Sequence, residues 1–252
     1  MRYGVVTGVS KGLGESIAKI LMESGVNVIG ISRSKNNFLK EAAQQNHVSF
    51  QHFSCDLGDV DEIEKTVNEV SGLIFREEPS SVYLVNNAAV LDPVDKSMNL
   101  DNRDLAYHMQ VNSLAPMVMT NLFLKKVSEE EVPFIGVTIT SGAAERPVYG
   151  WSAYCSSKAS INMYTKTVAL EQEELKSESK VIAFSPGIMD TQMQEKIRAS
   201  NKDEFIEVDT FKDYKNKNLL KDTDAVGSVL VDILTDEASI ENGKIYHVKD
   251  YY

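Results

Sequence analysis

From the first residue to about residue 185, short apolar runs alternate with longer stretches in which apolar residues recur every three or four positions. The short runs read as strands: YGVVT (3–7), VNVIGI (26–31), VSFQHF (48–53), VYLVNN (82–87), FIGVTIT (134–140), VIAFS (181–185) and KIYHV (244–248). Helical periodicity covers 13–24, 36–45, 59–76, 103–127, 153–176 and 223–235. Strands and helices in this alternation, joined by right-handed crossovers, predict an α/β fold. The expectation is one doubly wound domain over 1–252, its seven-stranded parallel sheet flanked by helices on both faces. Two domains would also fit the length, though nothing demands them.

One stretch breaks the pattern. Residues 195–224, EKIRASNKDEFIEVDTFKDYKNKNLLKDTD, are charged and weakly periodic, and they follow a Pro-Gly pair. Ligands of a doubly wound sheet sit outside the carboxyl ends of its strands, so 188–222 is a candidate substrate lid. A solvated surface excursion would have the same composition.

Composition narrows the function. The chain is 42% hydrophobic and 25% charged, as folded globular proteins are. No apolar run approaches the ~18–20 residues of a membrane span, and the start MRYGVVTGVSKGLG lacks a signal-peptide core, so a cytoplasmic protein is expected. Cys55 and Cys155 have no metal-ligand spacing and the four histidines are scattered, so no metal is expected. A net charge of −11 repels polyphosphate backbones and anionic lipid, which argues against nucleic acid and membrane as partners. A phosphate-bearing cofactor would therefore need a locally basic pocket.

The chain offers one. TGVSKGLG follows the first strand and opens the first helix, with Gly8, Gly12 and Gly14 at the turn and Ser10, Lys11 and Leu13 between them. Glycines there let a pyrophosphate approach the backbone, and the helix N-terminus supplies free N–H groups and partial positive charge. The spacing is G-x-x-x-G-x-G, not the commoner G-x-G-x-x-G. The second strand runs into ISRSK, where an acid would bind the adenosine ribose of NAD; Arg33 stands there instead. With Lys11 it gives two cations for a 2′-phosphate, which favours NADP(H), although ordinary surface charges would read alike. In SAYCSSK, Tyr154 and Lys158 stand four apart, on one face of a helix, where an ammonium favours a phenolate.

Taken with CDLGD, NNAA (86–89), VNS, TITSG, YCSSK and PGIMDT (186–191), these motifs resemble the short-chain dehydrogenase/reductase family over nearly the whole chain. Ala89 departs from the glycine more usual after NNA. The resemblance implies an NAD(P)-binding Rossmann domain and assigns roles. Tyr154 would be the general acid, its pKa brought from ~10 to near 7, roughly 4 kcal/mol of differential stabilisation. Lys158, with the charge of the nicotinamide, would supply that shift, and it would bind the nicotinamide ribose. Ser141 would give the carbonyl oxygen a second hydrogen bond, and Asn112 would hold a water linking Lys158 to solvent. Asp56 and Leu57 would meet the adenine, Asn87 and Ala88 the ribose, and Pro186, Gly187, Ile188 and Thr191 the nicotinamide. Asn86 is expected to be structural. A homodimer is implied by the same likeness.

Within the family the chain is most similar to the sepiapterin reductase branch and its benzil-reducing bacterial relatives. GWSAYCSSKASINMYTKTVALEQE (150–173), PGIMDTQMQ (186–194) and NGKIYHVKDYY carry that likeness. It implies NADPH-dependent reduction of one ketone of an aromatic α-diketone. Tyr149, Trp151, Met189 and Met193, together with Ser141, are the candidate substrate walls, since aromatic and thioether groups suit aryl ketones. Each would serve equally to pack the loop onto the core. The pterin branch has an acid near its C-terminus; here Lys249 directly follows HV and Asp250 matches only with a gap, which favours the diketone over sepiapterin. A non-catalytic dinucleotide sensor is the alternative of another kind, disfavoured by the presence of Ser141, Tyr154 and Lys158 together.

Overall fold

A computed structural model describes residues 1–252. Seven strands form one parallel sheet in the order β3-β2-β1-β4-β5-β6-β7, the doubly wound arrangement the sequence predicts. They are β1 (Arg2–Thr7), β2 (Asn27–Ile31), β3 (Phe50–Phe53), β4 (Ser81–Asn86), β5 (Phe134–Ile139), β6 (Lys180–Ser185) and β7 (Ile245–His247). The helices are α1 (Gly12–Glu23), α2 (Phe38–Gln45), α3 (Val60–Ile74), α4 (Asn102–Met109), α5 (Ala115–Glu130), α6 (Ser152–Glu174), α7 (Gln192–Ala199), α8 (Val208–Asn216) and α9 (Thr223–Thr235).

Central strands β4 and β5 are buried along their whole length, as strands covered on both faces must be. One face packs against α1 and α9 through Leu21, Ile17, Leu230 and Val226, and the other against α3 and α5 through Val67, Val70, Met119 and Phe123. Asp59, Asp101 and Asp222 each accept two backbone N–H groups and so cap α3, α4 and α9. Registers such as Thr7↔Ile31, Val6↔Val85 and Ile139↔Phe184 align the strands' carboxyl ends along one edge of the sheet. Order in the sheet reverses beside β1, between β1 and β4, which is where such folds open a binding crevice.

Two readings of the sequence are corrected. The stretch 103–127 is not one helix: α4 and α5 are separated by a π-helical turn, Gln110–Leu114, which inserts an extra residue and re-aims Asn112. The charged stretch after β6 is not irregular either; it holds α7 and α8. Ile197 of α7, Val208 and Phe211 of α8, and Phe205 in the turn between them pack with Trp151 and Tyr154 into a third, smaller core. Charged residues on the outer faces masked that periodicity.

Candidate active site

A cleft of about 1000 Å³ runs along the carboxyl edge of the sheet. At one end lies the glycine turn. Gly8 has φ +73°, and a Cβ there would meet Asn87 Nδ2 at 2.9 Å; a Cβ on Gly14 would meet the Gly8 carbonyl oxygen at 2.3 Å. Gly8 thus makes a left-handed turn closed to side chains, and Gly14 lets the first turn of α1 lie against it. Thr7 joins this turn to the end of β4: its Oγ1 accepts from the N–H groups of Asn87 and Ala88, each at 3.0 Å. Asn87 spends its side-chain amide on the carbonyls of Thr7 and Gly8, at 3.0 and 3.4 Å. Asn86 is buried and reaches Thr120 Oγ1 at 3.1 Å, a structural contact.

Among the expected dinucleotide residues, Gly8, Ser10, Lys11, Gly12, Leu13, Arg33, Asp56, Leu57, Asn87, Ala88, Pro186, Gly187, Ile188 and Thr191 all line the cleft. Gly14 does not; it acts through packing. Arg33 donates to the Tyr107 hydroxyl at 3.3 Å, and that hydroxyl donates to Asp56 at 3.4 Å, so Tyr107 enters the adenine end unannounced by the sequence. Lys11 hydrogen-bonds Gln192 at the start of α7, tying the glycine turn to the segment over the cleft. Thr191 caps α7 by accepting from Gln194 N–H at 3.3 Å. The turn's closed-off glycines, the free N–H groups of α1 and the length of the cleft together fit a dinucleotide.

The catalytic candidates meet further along. Tyr154 and Lys158 lie on the first two turns of α6, both buried. Lys158 Nζ donates to the Ile139 carbonyl at 2.8 Å and stands 5.7 Å from the centre of the Tyr154 ring. Burial lowers the Lys158 pKa from 10.5 to about 8. Burial raises that of Tyr154 from 10.0 to about 12, the Ser141 hydroxyl offsetting only part of the shift. In the protein without dinucleotide, desolvation is the largest influence on this phenol, and it runs opposite to the shift expected of Lys158 and the nicotinamide together. Ser141 ends β5's extension and caps the next turn, accepting from Ala143 N–H at 3.2 Å.

Asn112 sits in the π-helical turn behind the cleft wall. It is buried and does not line the cleft. Its Oδ1 accepts from Val90 N–H at 2.8 Å, and its Nδ2 donates to the Val90 carbonyl at 2.8 Å and meets His108 Nε2 at 3.0 Å. The two amide hydrogens are thus committed to Val90 and His108. The residue that sequence reasoning missed is His108, at i−4 from Asn112.

Beyond Tyr154 the walls turn apolar. Trp151, Met189 and Met193 line the cleft with Ile197 and Phe211. Trp151 stacks on Phe205 at 4.7 Å and meets Tyr154 edge-on at 5.3 Å. Tyr149 is corrected: it is 47% exposed and lies outside the cleft. Gly150 reverses the chain at φ +83°, where a Cβ would strike the Glu204 carbonyl oxygen at 2.0 Å, and this sends Trp151 inward and Tyr149 outward. Arg146 grips Glu207 with both guanidinium nitrogens, at 2.8 and 2.9 Å, fixing the start of α8 beside the cleft. No cluster of metal-ligating side chains exists, and no helix is long and apolar enough to cross a membrane.

The fold and this cleft define a class. A family model described as short chain dehydrogenase matches residues 3–202, and the chain belongs to that family, whose members work with nicotinamide dinucleotides. It is an oxidoreductase acting on CH–OH/C=O groups. Its similarity is high to benzil reductase ((S)-benzoin forming) from Bacillus cereus, at 37% identity over 94% of this chain and 95% of that one. The enzyme of the same name from Bacillus subtilis is 35% identical over the full length of both. Sepiapterin reductase from Mus musculus is 29% identical over 79% of this chain and 78% of its own. Among solved structures, the KRED1-Pglu enzyme superposes with a TM-score of 0.83 at 26% identity, covering 97% of this chain and 100% of that one.

Proposed function

We propose that the chain is an NADPH-dependent carbonyl reductase that reduces one ketone of an aromatic α-diketone to the hydroxyketone. The observation that carries this is the buried Tyr154 phenol in the cleft, with Ser141 beside it, Lys158 beneath it and an apolar wall beyond. The dinucleotide, when bound, supplies hydride to the carbonyl carbon. The chain supplies the proton to the oxygen. A phenol with a pKa of about 12 stays protonated at any working pH, ready to donate to a nascent alkoxide. Ser141 steadies the same oxygen, and Lys158, half titrated near pH 8, can take up or pass a proton beneath the phenol.

For the cofactor, the reading rests on Arg33 at the end of β2 with no acid in its place, and on Lys11 in the turn. Trp151, Met193 and Phe211 favour a flat apolar substrate, and the two bacillary relatives bear the name of that reaction. The pterin alternative is weakened because Lys249 lines the cleft whereas Asp250 does not. Exposed Leu114, Met163 and Leu170 on and beside α5 and α6 suit pairing with a second copy, which sedimentation would test. The functional test is dinucleotide oxidation with benzil, other aryl diketones and sepiapterin, each with NADPH and NADH. Fastest turnover of an aryl diketone with NADPH is expected. Tight NADPH binding with no turnover of any carbonyl would instead mark a dinucleotide sensor.

A further inference from the structure

His108 is fully buried in α4 and does not line the cleft, yet its ring meets that of Tyr154 edge-on, centres 6.1 Å apart at 75°. Trp151 meets the same phenol ring at 64°. The proton donor is thus bracketed by two perpendicular rings, one of which is titratable.

Hydrogen bonding fixes where the His108 proton sits. Val90 binds Asn112 through both its N–H and its carbonyl, which sets the orientation of the Asn112 amide. The remaining Nδ2 hydrogen points at His108 Nε2, 3.0 Å away, so Nε2 must accept. Nδ1 then carries the proton and donates it to the Asp92 carbonyl at 2.7 Å. Ser157 Oγ lies 3.1 Å from the same Nε2 and donates to the Tyr154 carbonyl at 2.9 Å. One neutral tautomer therefore joins the loop after β4 to the π-helical turn by hydrogen bonds and meets α6 by packing alone. The ionisable groups facing it are Lys158, Tyr154 and Asp92. Burial, then the Lys158 ammonium, holds its pKa below 6.5, in keeping with the neutral ring; an imidazolium would set N–H against the Asn112 N–H.

We propose that neutral His108 is a positioning residue for the reduction, holding the Tyr154 phenol in its reactive orientation by edge contact. This rests on Tyr154 being the proton donor. It acts through Tyr154 and touches neither cofactor nor substrate.

Two variants test it. His108→Phe keeps a ring against Tyr154 but loses every hydrogen bond; His108→Gln keeps an acceptor for Asn112 but loses the ring. In each, kcat is expected to fall about tenfold, ~1.4 kcal/mol in barrier, while the Kd for NADPH, read by fluorescence, stays within about twofold. Full kcat in either folded variant overturns the proposal. So does a parallel loss of kcat and NADPH affinity, the mark of a merely structural role. Should neither variant fold, nitrogen-15 NMR of the unaltered protein decides, with only four histidines to assign. At pH 6, His108 is expected as the neutral Nδ1–H tautomer; the Nε2–H tautomer or an imidazolium overturns the proposal. Retained turnover in Tyr154→Phe would defeat the functional reading instead, and leaves the tautomer result standing separately.

Discussion

Lys158→Met should change how stability depends on pH, and by a calculable amount. Burial lowers the Lys158 pKa from 10.5 in the unfolded chain to about 8 in the folded one. At about 1.36 kcal/mol per pH unit, that gap means the buried charge costs the unliganded protein about 3 kcal/mol at neutral pH. Between pH 8 and 10.5 the unfolded chain binds this proton and the folded one has largely released it. Stability of the parent therefore rises with pH in that window. Integrated from pH 7.5 to 9.5, the parent should gain about 2 kcal/mol on the methionine variant. Urea unfolding of both proteins without dinucleotide measures this directly. The lost hydrogen bond to the Ile139 carbonyl is a pH-independent offset, and every other titrating group is common to both chains, so both cancel in the difference. Parallel stability profiles, or a gap that widens in the variant's favour as pH rises, would refute the claim that Lys158 is held charged against its burial.

Other substitutions probe separate parts of the cleft. Arg33→Asp should lower kcat/KM for NADPH at least tenfold while leaving NADH little changed or improved, because a carboxylate repels a 2′-phosphate; an unchanged NADPH/NADH ratio would place the phosphate elsewhere. Gly150→Ala should destabilise the protein by about 2 kcal/mol or more, read by thermal unfolding, since the added methyl meets the Glu204 carbonyl in a backbone region closed to alanine. Trp151→Ala removes the ring on which Phe205 stacks and should cost about 3–5 kcal/mol in chemical denaturation; a loss below 1 kcal/mol would mean α7 and α8 do not depend on it.

β2, β4, β5 and β6 were legible because burial on both faces writes them as short apolar runs, while the half-buried β3 and β7 showed as aromatic and β-branched runs. The glycine turn, Ser141, Tyr154 and Lys158 were legible because tight turns and an i,i+4 pair leave local signatures. What escaped was set by distant packing. α7 and α8 bury so few apolar residues, Ile197, Val208 and Phe211, that only the site beneath them reveals their inner face. Tyr149 and Trp151 look alike as substrate walls, and only the clash at Gly150 decides which turns inward. Asn112 was found by motif, but its commitment to Val90 depends on a loop twenty-two residues away. His108 gave one local clue, its place one helical turn before Asn112, and its meaning emerges only from the contact with Tyr154. The depth of the phenol's burial, which raises its pKa in the protein without dinucleotide, leaves no mark in the sequence, whereas its adjacency to a cation does.

The central claim is that the Tyr154 hydroxyl delivers the proton to the reduced carbonyl. Single-turnover reduction of benzil by Tyr154→Phe, with NADPH affinity measured on the same preparation, tests it most directly. Turnover should fall by at least ~10²-fold, as general acid catalysis requires, with the Kd for NADPH nearly unchanged. A phenylalanine variant that still reduces benzil within a few-fold of the parent rate would contradict it.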